Sequence, residues 1–68
     1  MLFRSPGVGP DVRAAVLALP VRQRAVVVLH EIEGHTIVEI ARMLGIAAVT
    51  ARWHLHTARR KLKEALGR

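Results

Sequence analysis

The residues able to do chemistry gather in one stretch, "GIAAVTARWHLHTARRKL", residues 45–62. It carries Arg52, Trp53, His54, His56, Arg59, Arg60 and Lys61 on a background of Ala, Leu and Thr. Such residues can ligate a metal, move protons or bind a polyanion. His54 and His56 stand at i and i+2, and on a helix they point about 200° apart, so they cannot close on one ion. His30 and His35 flank the end of an earlier segment, and no Cys is present to complete a site. The Glu and His residues form no nucleophile–base pairing, and there is no Gly-rich phosphate loop. The expectation is a chain that is not an enzyme and takes no metal, cofactor or small-molecule substrate.

Polyanion binding has the charge to support it. The formal net charge is +6, which favours DNA, RNA or an acidic membrane surface. Its placement says more than its sum. Arg52, Arg59, Arg60, Lys61, Lys63 and Arg68 stand against Glu64 alone, whereas Glu31, Glu33 and Glu39 bring the middle of the chain closer to balance.

The elements that position this stretch follow from composition and period. At 68 residues the chain makes one small domain at most. Hydrophobic residues are 51% but aromatics only 3%, so a core must be built of Ala, Val, Leu and Ile at helical spacing. An all-α bundle is the expectation. The absence of Cys fits a reducing cytoplasm, and no apolar run approaches the roughly 20 residues that span a membrane. "MLFRSPGVGP" has no secretory h-region. Residues 1–10 are expected to be a disordered arm or the end of an inter-domain linker, residues 11–68 the folded domain, and the whole the tail of a longer protein.

Asp11 can N-cap a short helix with Val12, Ala15, Val16 and Leu19 on one face. Pro20 ends that pattern and suits the first turn of the next helix. There Val21, Ala25, Val28, Leu29 and Ile32 share a face. "VVVL" alone resembles a buried strand, but the helical period on both sides and Gly34 as a stop favour helix. Thr36 and Glu39 form a capping box. Ile37, Ile40, Ala41 and Leu44 then line one face up to Gly45. Two helices joined by so short a Gly-containing turn make a helix-turn-helix unit. On a wheel begun at Val49, the last helix puts Ala51, Leu55, Ala58, Leu62, Ala65 and Leu66 toward the core. Val49, Arg52, Trp53, His56, Arg60 and Lys63 fall opposite. Trp53 there requires a partner. That partner is either nucleic acid or another protein segment, the N-terminal arm included.

Several motifs now stand in order: "LP-x-R-Q-R", "E-x-E-G", "E-I-A-x-x-L-G-I", "T-x-R" and "L-H-x-A-R-x-x-L". Together, from about Leu19 to Leu66, they resemble region 4 of bacterial sigma-70 family sigma factors, nearest the extracytoplasmic-function (ECF) branch. The resemblance implies a four-helix bundle with a C-terminal helix-turn-helix, winged-helix-like but without an obvious wing. It also implies that the helix around 48–65 enters the major groove at the promoter −35 element. The implied partners are promoter double-stranded DNA, the RNA polymerase core through its β flap, and an anti-sigma factor. Carried over by position, Thr50, Arg52, Trp53, His56 and Thr57 would face the bases, with Arg60 near a phosphate. Arg can bind guanine through O6 and N7, Thr and Trp can touch a thymine methyl, and His can donate to a base or phosphate. Arg42 and Arg59 suit backbone positioning.

The chain departs from the family at Ala47, Val49, Trp53, His54 and Thr57. Ala47 stands where a capping Ser or Pro is usual, and Trp53 where something small and polar is usual. These departures leave the fold intact but unsettle base specificity. Two other functions remain open. One is the output domain of a two-component response regulator, against which "LP-x-R-Q-R" and "L-H-x-A-R" argue. The other is a protein-interaction module docking through Trp53.

Overall fold

Four helical segments follow one another in the computed structural model, which describes residues 10–67. The expected arm, up to residue 9, lies outside the described residues. The helices are α1 (Pro10–Leu17), α2 (Val21–Val27), α3 (Ile37–Leu44) and α4 (Ala48–Ala65), and α2 runs on into a π-helical turn, Val28–Ile32. Among the described residues there is no strand, so the all-α expectation holds.

Pro10 opens α1 instead of closing the arm. A first-turn position has no use for the N–H that proline lacks. Asp11 consequently lies inside the first turn and is not the N-cap. Its carboxylate still faces the positive end of the helix dipole. Val16 and Leu19 are buried as expected, while Val12 and Ala15 are half-buried.

The core face differs only in part from the one expected: Val28 and Leu29 pack against the core. Val21 and Ile32 are exposed, while Val26 and Val27 are buried together with Gln23. The run of four apolar residues from Val26 to Leu29 offers a hydrophobic surface in every direction, so period alone cannot choose the inward side. The polar Gln23 also disguises the i, i+3, i+4 face that packs. The π-turn then changes the phase. Glu33 N–H donates to the Val28 carbonyl at 3.0 Å, an i→i+5 bond that takes in one extra residue and swings Ile32 outward.

The stops and starts follow local chemistry. Gly34 sits at φ 79°, a left-handed conformation that Gly adopts without a Cβ penalty. Thr36 Oγ1 accepts from Glu39 N at 3.1 Å, and Glu39 Oε1 accepts from Thr36 N at 3.0 Å. Both halves of the expected capping box are therefore made. Gly45, at φ 69°, ends α3, and Ile46 N–H returns to the Ala41 carbonyl at 2.9 Å, satisfying a helix-end acceptor.

The three residues 45–47 turn the chain from α3 into α4. The core is Val16, Leu19, Val26, Val27, Ile40, Ala41, Ala51, Leu55 and Ala58, with Leu44 and Leu62 packed against it. Ala41, Ala51 and Ala58 present only a methyl, so α4 can lie close on α2 and α3. Ala65, expected in the core, is exposed. It lines an open groove with Asp11, Ala14 and Ala15 of α1.

Candidate nucleic-acid interface

α4 has 18 residues and is therefore about 27 Å long. Its N-cap, Ala47, has extended backbone at φ −72°, ψ 150°, with no side-chain hydrogen bond at the cap. The start of α4 is thus uncapped by any side chain, as its sequence implies. Ala51, Leu55 and Ala58 bury the inner side. The outer side carries Val49, Thr50, Arg52, Trp53, His56, Arg60 and Lys63, all exposed.

Trp53 is 56% exposed and Val49 68%, the two large apolar groups of this otherwise cationic side. The indole meets the His54 ring edge-on, with centroids 5.3 Å apart and planes at 65°. His54 is half-buried and its Nδ1 is enclosed without a hydrogen-bond partner. An inner ring thus steadies an outer one.

Two of the expected site residues are placed differently. Thr57 is only 5% exposed, so its hydroxyl is not offered on the outer side with the other expected residues. Two turns earlier, Thr50 is exposed. The difference arises because α2 and α3 both press on α4, closing a flank at mid-helix that a uniform wheel leaves open. Arg59 is exposed but committed. Its Nε donates to Glu31 Oε2 at 2.8 Å, and its Nη2 donates to the same oxygen. Glu31 also meets His30 Nδ1 at 3.2 Å. The Arg59 guanidinium holds the Glu31 carboxyl below its ordinary range against a smaller opposing effect of burial, with His30 lowering it further. Arg59 is therefore an intramolecular tie between the π-turn and α4, not a free phosphate ligand. The remaining cations, Arg52, Arg60 and Lys63, share the outer side of α4, and Arg42 is exposed in the last turn of α3.

His35 lies apart from this side. It stands between Glu33, at 3.6 Å, and Glu39, at 3.4 Å. The hydrogen bond from the Thr36 backbone, followed by smaller contributions from His35, sets the Glu39 carboxyl below its ordinary range. Among the described residues no group of three or more His, Asp or Glu is disposed to hold a metal ion. No helix among them is long and apolar enough to cross a membrane. Sequence reasoning put Val49 on the outer face but gave it no role, and it passed over Glu31 as a partner of Arg59. Val49 stands at i, i+4 with Trp53, a spacing that could have flagged it. Glu31 lies 28 residues from its partner, and no local signal marks such a pair.

Residues 11–62 match the family described as Sigma-70, region 4. The ECF RNA polymerase sigma factor SigM of Mycobacterium tuberculosis is 43% identical over 56 residues, covering 82% of this chain and 29% of that protein. The ECF RNA polymerase sigma factor SigE of Mycolicibacterium smegmatis is 36% identical over 67 residues, covering 98% of this chain and 26% of that protein. The chain thus spans less than a third of the length of these relatives.

Proposed function

The chain belongs to the sigma-70 region 4 family, in its ECF branch, and from that premise we propose that it is the promoter-reading domain of a bacterial sigma factor. Its role is binding, not catalysis. The observation that carries the proposal is the division of α4, which buries Ala51, Leu55 and Ala58 and exposes Arg52, Trp53, His56 and Arg60 on the other side. A helix about 10–12 Å across fits a major groove about 12 Å wide, and the outer side of α4 would lie along its floor at the −35 element.

The residues then divide by what they touch. Arg52 is the candidate for a bidentate contact to guanine. Thr50 and His56 can hydrogen-bond base edges, and Arg60 and Arg42 can hold phosphates without reading sequence. Arg59 joins them only by giving up Glu31.

Docking on the polymerase β flap is the second half of the proposal. It is supported by apolar surface away from the outer side of α4, where Leu17 and Val21 are exposed at the α1–α2 corner. An anti-sigma factor would compete for the same surface, and the site of action would be the cytoplasm, where the polymerase works.

The test is binding of labelled duplexes at rising salt. Phosphate contacts release counterions, so affinity should fall steeply, by about 0.9 log units per log unit of salt for each phosphate neutralised. Binding that ignores salt, together with capture of a protein partner lost on Trp53→Ala, would instead favour the interaction-module reading.

A further inference from the structure

Val49 and Trp53 are exposed apolar groups among cations, a pairing that the role of the cations does not explain. Arg52, His56 and Arg60 surround them on the same side of α4. A protein partner would have to present an apolar knob inside an acidic rim. The major groove supplies both features at once, with phosphates along its walls and one apolar group on its floor, the thymine C5-methyl. Residues at i and i+4 on a helix have Cβ atoms about 5–6 Å apart. That separation lies between one and two base-pair steps of about 3.4 Å. The edge-on contact of Trp53 with the half-buried His54, at 5.3 Å, restrains the indole, so less rotamer freedom is lost when it meets a ligand.

We propose that Val49 and Trp53 together form an apolar clamp for thymine methyl groups, which makes this domain select thymines one or two base steps apart. The proposal rests on the reading of α4 as a DNA-facing helix and adds to it which base feature that helix selects. The mechanism is differential burial. A methyl lodged against valine or indole leaves water, whereas a cytosine at the same position presents a polar amino group to the same apolar surface and loses its hydration without a new hydrogen bond. Arg52 beside the clamp selects by hydrogen bonding and is independent of it.

The test uses duplexes enriched by the 68-residue chain from a randomised pool, rebuilt with deoxyuridine for thymidine. That exchange removes the methyl and keeps every hydrogen-bonding group. The expected result is a loss of about three- to fivefold in affinity for each clamped methyl, with the salt slope unchanged. Val49→Ser and Trp53→Ala should each reduce the discrimination between thymine and uracil, and the double variant should abolish it. Val49→Thr and Trp53→Phe keep apolar contact and should preserve it. Both positions are exposed, so circular dichroism should report the same fold for every variant. Salt-dependent binding that does not distinguish thymine from uracil overturns the clamp and leaves the DNA-reading role standing. Discrimination that survives the double variant also overturns the clamp. If no salt-dependent duplex binding is found at all, the reading of α4 fails and the clamp with it.

Discussion

The uncapped start of α4 allows a stabilising substitution to be designed from a second helix of the same protein. Thr36 caps α3 from extended backbone at φ −75°, ψ 162°, and Ala47 precedes α4 at φ −72°, ψ 150°. The Ala47 carbonyl already accepts the first helical bond, from Ala51 N at 3.0 Å, so the position is a true N-cap lacking only an acceptor side chain. In Ala47→Ser the new Oγ would take the place that Thr36 Oγ1 holds toward Glu39 N, and accept from Thr50 N. The gain should be about 1 kcal/mol. It should not exceed that, because Thr50 occupies the third helical position and cannot return the second bond that Glu39 makes at α3. For a domain of this size, 1 kcal/mol raises Tm by roughly 4–8 °C. Thermal unfolding followed by far-UV circular dichroism measures it, with Thr36→Ala as a yardstick that should lose at least as much. An Ala47→Ser protein no more stable than the parent would mean that the first turn of α4 is not built as described.

Other perturbations separate the roles of individual side chains. Arg52→Ala should flatten base preference, costing about 1–3 kcal/mol on the best site, while Arg60→Ala should weaken all sequences alike and lower the salt slope by about one unit. Equal effects on selectivity would refute that division. Glu31→Gln should free Arg59 and remove a carboxylate near the DNA, tightening binding to every duplex and steepening the salt dependence by about one phosphate. Unchanged affinity would show that Arg59 never reaches DNA. Because the Glu31 carboxyl titrates lower in the folded chain than its ordinary 4.5, its contribution is present above that value and lost as pH falls through the lowered one. Acid unfolding of Glu31→Gln should lack that component. The effect should stay below about 1 kcal/mol, since the pair is half open to solvent; an identical acid profile would mean that the pair adds no stability.

The parts of this fold that could be read in advance are those written in adjacent residues. Thr36 and Glu39 lie three apart and satisfy each other's backbone, and Gly34 and Gly45 supply conformations that other residues resist. The wheel of α4 separated Leu55 and Ala58 from Arg52 and Trp53 for the same reason, since one period decides both sides. What could not be read depends on neighbours distant in sequence. Val26 and Val27 are buried, and not Val21, because α1 and α4 pack on that side of α2. Thr57 is closed off by the packing of α2 and α3 on α4, although the wheel places it near Trp53. The bond between Glu31 and Arg59 springs from a π-turn, whose extra residue has no sequence motif of its own. The family resemblance supplied roles by position, but the burial of Thr57 and the bond of Arg59 to Glu31 depend on tertiary packing that no such carry-over contains.

The central claim, that the outer side of α4 meets DNA, has a built-in reporter. Trp53 is the single Trp of the chain and stands in the middle of that side. Titrating the protein with a promoter-derived duplex while following its fluorescence should shift the emission and protect the indole from a soluble quencher, and both effects should fade together as salt is raised. Binding of the duplex with Trp53 emission and quenching unchanged would place the DNA elsewhere on the molecule and contradict the account.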